Sequence, residues 1–125
     1  VVSVEDIIKN SSFWDSNPIF NDTQAKIRNF IKWAYLNWGI EYVLLAGDAD
    51  VIPPRIMWAE GEFHQWYDVP SDVYYACLDG NFNNDMDNKW GEPGEEDLFA
   101  EVYVGRICID SANELENFIY KTILL

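Results

Sequence analysis

Ile27, Phe30, Ile31, Ala34, Tyr35 and Trp38 recur at helical spacing, with Lys26, Arg28, Asn29 and Lys32 between them. That period predicts an amphipathic helix over residues 22–38. Asn21 followed by Gln24 reads as a capping box, and Gly39 stands where the helix would stop. Directly afterwards, residues 41–47 (EYVLLAG) are a near-continuous apolar run, the pattern of a strand covered on both faces. Four other segments read as strands: the β-branched Val1 to Val4, a short piece at 56–59, residues 73–78 (VYYACL) and residues 99–107 (FAEVYVGRI). A second helix is predicted over 111–124, with Leu115, Phe118, Ile119, Thr122 and Ile123 on one face and a Ser111–Glu114 capping box. Residues 10–21, 50–72 and 79–97 carry the Pro, Gly, Asn and Asp of connections. Strands separated by helices predict an α/β fold, a mainly parallel sheet flanked by helices, with sites at the carboxyl ends of the strands.

Composition narrows the class of partner. The 125 residues are enough for one core and too few for two, and twenty Phe, Trp and Tyr side chains exclude wholesale disorder. The formal net charge is -14, and 13 of those charges fall between Glu41 and Glu101, where 15 acidic residues face only Arg55 and Lys89. Such a chain repels phosphate backbones and anionic lipid, so neither nucleic acid nor membrane insertion is expected. No apolar run reaches the roughly 18 residues of a membrane helix. The opening residues already read as structure, so the chain is expected to be a piece of a longer polypeptide. Cys77 and Cys108 have no CxxC spacing and read as buried free thiols.

Asp79, Asn81, Asn83, Asp85 and Asp87 place oxygen side chains at alternate positions, the way a tight loop surrounds a hard cation such as Ca2+. An EF-hand frame counted from Asn83 fits Asp85 and Asp87, then fails, with Asn88 at its sixth position and Gly94 at its twelfth. Glu92, Glu95, Glu96 or Asp97 would have to close the shell. A calcium loop of non-EF type and a solvated acidic loop both stand as readings. Asp48 and Asp50, after the apolar strand, are either a general acid/base pair or a turn, and the turn is the commoner use of Gly-Asp-Ala-Asp. His64 is the only histidine, and nothing around Cys77 or Cys108 marks an activated nucleophile. Trp58, Phe63, Trp66 and Tyr67 are either a binding face or the cover of a core edge. Arg106, at a strand end, is expected to pair with Asp48 or Asp72 in a structural network.

The stretches 42–53 (YVLLAGDADVIP), 70–75 (PSDVYY) and 101–107 (EVYVGRI), with Glu5-Asp6-Ile7 upstream and the Ser111 helix downstream, together resemble the gingipain family of cysteine peptidases. The resemblance implies the amino-terminal subdomain of a caspase-like catalytic unit, from a family that is typically secreted or at the cell surface and often calcium-stabilised. It also implies that the nucleophilic Cys and its His-Gly partner lie beyond Leu125, so no catalytic residue is assigned here. On that basis the chain is a catalytically inert scaffold half whose partner is the missing catalytic subdomain, with protein or peptide substrates belonging to the parent. Two other readings stand beside it: a stand-alone calcium-dependent interaction module with the same fold, and a hydrolase using Asp48 and Asp50.

Overall fold

A computed structural model describes residues 1–124. Its elements run α1 (Val4–Lys9), α2 (Thr23–Trp38), β1 (Tyr42–Ala46), β2 (Arg55–Glu60), β3 (Trp66–Ser71), a one-turn α3 (Val73–Ala76), β4 (Tyr103–Ile107) and α4 (Ala112–Ile123), with short 3-10 turns at Ser11–Phe13, Pro18–Phe20 and Glu62–His64. Helices and strands mix as expected, but the sheet is not one mainly parallel layer. β1 and β4 form a parallel pair, with Tyr42 opposite Tyr103 and Ala46 opposite Ile107. β2 and β3 form a separate antiparallel hairpin, with Arg55 opposite Ser71 and Glu60 opposite Trp66.

The long helix forms as its period requires and ends at Gly39 in the left-handed region, φ 64. Its cap is Asp22 rather than Asn21: the Asp22 carboxylate accepts from the Ala25 amide at 2.9 Å. Val1 to Val4 is not a strand. Ser3 caps a helix there, its Oγ accepting from the Asp6 amide at 3.1 Å, with Glu5 and Asp6 in the first turn and Lys9 in the last. Cap and charge placement outweigh the β-branched run. The expected strand at 73–78 is not formed either: Val73–Ala76 make one helical turn, and Cys77 is extended. Consecutive strand residues point to opposite faces, whereas a helical turn lets both Tyr74 and Tyr75 enter the core. The last strand starts at Tyr103 rather than Phe99, because the Glu101 and Val102 amides donate instead to the Ala76 carbonyl.

The β3 strand is absent from the sequence reading because Pro70 argues against pairing. At a free edge, opposite Ile56, a missing N–H costs nothing to the ladder. The hairpin turns at Phe63 and His64, both left-handed at φ 60 and 57, a conformation unusual for residues other than Gly, Asn or Asp.

The core gathers Ile7, Phe13, Ile27, Ile31, Leu45, Ile52, Met57, Tyr74, Tyr75, Leu78, Phe82 and Val102. The expectation that the 41–47 run is covered on both faces fails among the described residues: Leu45 is buried, but Tyr42 and Leu44 are exposed, and Tyr103 beside Tyr42 is exposed too. Helix α4 has its capped start, Ser111 Oγ accepting from the Glu114 amide, yet none of its residues is buried.

Arg28 joins these parts. It leaves α2 and donates from Nε to the Tyr74 carbonyl at 2.9 Å and from Nη2 to the carbonyls of Cys77 at 2.6 Å and Gly80 at 2.5 Å. Its ring neighbours are Tyr74 and Phe82, 4.9 and 5.5 Å away. Burial pulls the guanidinium below its ordinary value, against the opposing pull of Tyr74 and Asp97. Replacing it by Met fills the space but orphans the buried carbonyls of Tyr74 and Cys77 and removes the donor to Gly80. Arg28→Met is expected to cost about 3 kcal/mol, read as a lower urea midpoint with an unchanged slope.

Candidate functional site

The carboxyl ends of β1 and β4 lie side by side, where the Gly47 amide donates to Ile107 and the Asp48 amide to Ile109. Arg106 sits across this edge. Its Nε and Nη2 donate to the two Asp72 carboxylate oxygens at 2.7 and 2.6 Å, and its Nη1 reaches the carbonyls of Gly47 at 2.9 Å and Ile52 at 2.8 Å. The bidentate bond to Asp72 holds Arg106 above its ordinary pKa. Of the two partners the sequence allowed, Asp72 gives its carboxylate, while Asp48 gives only its carbonyl, at 3.3 Å. The Asp48 carboxylate instead accepts from the Asp50 amide at 3.0 Å, closing the turn that the Gly-Asp-Ala-Asp run suggests.

Two acids that sequence reasoning missed complete this edge. Glu114 accepts from the Asp110 amide at 2.8 Å, and the Asp110 carboxyl is pushed above its ordinary range, chiefly by Glu114, with Asp48 and Asp50 adding. The signal was present: a capping box directly after a strand aims its acid back at the strand end. The spacing alone did not show that the β1 turn would come to the same place.

The acidic loop folds on itself. Asn83 is fully buried and clamps the Asp87 backbone, Nδ2 donating to its carbonyl at 2.9 Å and Oδ1 accepting from its amide at 3.0 Å. Asn81 accepts from the Asn83 amide at 2.8 Å. Both asparagines therefore use their oxygens on the backbone. The carboxylates divide into two groups: Asp85, Asp87 and Glu92 in one, Asp79, Asp97 and Glu101 in the other, each with oxygens within 4.8 Å of one another. Two more oxygens there, Glu95 Oε2 and Asp97 Oδ2, are buried with no hydrogen-bond partner. An orphaned buried carboxylate oxygen is costly without a cation or donor, so this donor set suits a hard cation.

The thiols and the histidine stand apart in role. Cys77 is buried, and its thiol is pushed up to about 11 by that burial, with Asp97 and Glu101 adding. Cys108 is exposed rather than buried as expected. His64, at the hairpin tip, has Nδ1 2.5 Å from Glu60 Oε1. Trp58 and Trp66 stack at 5.6 Å, Lys89 lies 4.1 Å from the Trp58 ring, and Phe63 and Tyr67 are exposed.

The profile of peptidase family C25 matches residues 1–125, the whole chain. The chain belongs to this family, the gingipain family of cysteine peptidases. No curated protein and no solved structure matches it.

The thiol environments predict a clean labelling result. At pH 8 a thiolate-selective reagent should modify Cys108 in the folded protein and leave Cys77 untouched, because a thiol with a pKa of about 11 stays protonated well below that pH. Both should react in denaturant. Equal rates in the folded state would show that Cys77 is neither buried nor shifted.

Proposed function

We propose that this chain is the supporting subdomain of a gingipain-like cysteine endopeptidase, extracellular or at the cell surface, whose nucleophilic cysteine and histidine lie outside these residues. The observation that carries the reading is the state of the candidate nucleophile and base. Cys77 is buried and held protonated, and the only histidine is engaged with Glu60 on a hairpin tip. Cys108 is exposed, but the side-chain partner of His64 among the described residues is Glu60, so neither thiol is given the imidazole that attack on a peptide carbonyl needs.

The chain's own contribution is rigidity. Arg106 fixes the ends of β1 and β4 against Asp72, so the strand-end edge keeps its shape for groups supplied from outside. The bare face at Tyr42, Leu44 and Tyr103, together with the unburied α4, suits cover by the remaining catalytic unit, since parallel strands are ordinarily covered on both faces. Purified, the 125 residues should turn over no peptide substrate. Hydrolysis abolished by thiol alkylation would overturn the assignment.

Calcium belongs to the same reading. Asp79, Asp97 and Glu101, with Asp85, Asp87 and Glu92 as a second set, would hold it, relieving repulsion within the acidic half. A cation bound only by the folded state stabilises it by about 2.7 kcal/mol at a hundredfold excess over Kd, a rise of about 10 °C in Tm for a chain of this size. Asp97→Asn should reduce that rise. An identical Tm in chelator and in millimolar calcium would remove the site.

A second reading, a calcium-dependent interaction module, is favoured by Phe63, which is 90% exposed at the strained hairpin tip. The two separate on the longer polypeptide: a His-Gly pair and a strand-end Cys after residue 125 support the peptidase, and a continued fold lacking both supports the module.

A further inference from the structure

Between α1, the Ser11–Phe13 turn and α2 lies a cavity of about 300 Å3 walled by Phe13, Phe30, Trp33 and Trp38. The rings meet mostly edge to face: Phe13 and Phe30 at 5.5 Å and 79°, Phe30 and Trp38 at 5.9 Å and 81°, Trp33 and Trp38 at 5.0 Å and 76°. Rings set steeply to one another form walls rather than a closed stack. Trp33 and Trp38 remain 40% and 57% exposed, so solvent reaches the rim.

Among the described residues, the one charged residue lining this space is Asp6. Its Oδ2 accepts from Ser3 Oγ at 2.7 Å, and no basic side chain pairs with it among the described residues. Asn10, also in the lining, gives its side-chain oxygen to the Ser12 amide at 3.0 Å.

The composition of the lining selects the ligand. Anions are repelled by Asp6 and by a chain of net charge -14. A hard metal ion such as Ca2+ needs six or more oxygens, and one carboxylate beside Asn10, Ser12 and four rings does not supply them. A bulky, weakly hydrated organic cation loses little on leaving water and gains from both the ring faces and the carboxylate. We propose that this cavity binds the quaternary ammonium group of a small organic cation. The site lies outside the strand-end edge and the acidic loop and does not rest on the peptidase reading.

The test uses choline and its neutral isostere 3,3-dimethylbutan-1-ol, followed through the indole N–H signals of the six tryptophans by NMR at pH 7. Choline should shift Trp33 and Trp38 saturably while Trp58, Trp66 and Trp90 stay in place. The neutral isostere should bind at least about tenfold more weakly. Asp6→Asn should weaken choline binding about fivefold, and Trp38→Ala, at an exposed rim position, should abolish it. Equal affinity for the two ligands would show an apolar slot with no preference for charge, and no saturable shift would show a packing cluster only. Either result overturns the proposal on the unaltered protein, whatever the variants do.

Discussion

Backbone carbonyls in irregular segments must find donors inside the protein, and with two strand pairs among the described residues that requirement falls on arginine. Arg28 serves the carbonyls of residues 74, 77 and 80, and Arg106 those of 47, 48 and 52. Arg55 instead grips the Asp22 carboxylate from two nitrogens, at 2.7 and 2.9 Å, between the rings of Trp90 and Tyr74. Burial works against the charge of Arg55, but Asp22 and Tyr74 together outweigh it and the guanidinium titrates above its ordinary value. Arg28 and Arg106 thus do for a loop what a ladder does for a strand.

The same three residues connect the scaffold to the places where chemistry can occur. Asp22 both caps α2 and receives Arg55, so the start of the helix and the start of the hairpin are fixed by one carboxylate. Arg28 lies under the turn that presents Asp79, with Asp97 and Glu101 near enough to act on its charge. Acids placed close to a buried guanidinium are partly neutralised by it, which moderates the repulsion of the loop. Arg106 ties the carboxyl ends of two parallel strands, the edge where ligands of α/β sheets are met, to Asp72.

Much of this was legible in the residues. The period from Ile27 to Trp38 gave α2, the apolar run gave β1, and Arg106 was expected to pair with Asp48 or Asp72, of which Asp72 supplies the carboxylate. Other parts were not, for physical reasons. Tyr74 and Tyr75 have strand propensity, yet burying both required a helical turn. The Asp79 to Asp87 alternation looked like a ligand series, but the two asparagines bond backbone groups, and Asp97 and Glu101 arrive from later in the chain to join Asp79.

What the sequence by itself determined is whatever depends on neighbours a few residues apart: helix period, caps, turn chemistry and the concentration of charge. Tertiary structure alone decided which distant groups meet. The facing of Asp110 and Glu114 toward the β1 turn, the division of the acidic loop into two carboxylate groups and the aromatic walls around Asp6 all join segments whose approach depends on packing of the whole chain. Local spacing carries no record of that packing, because the free energy that fixes it comes from burying the shared core.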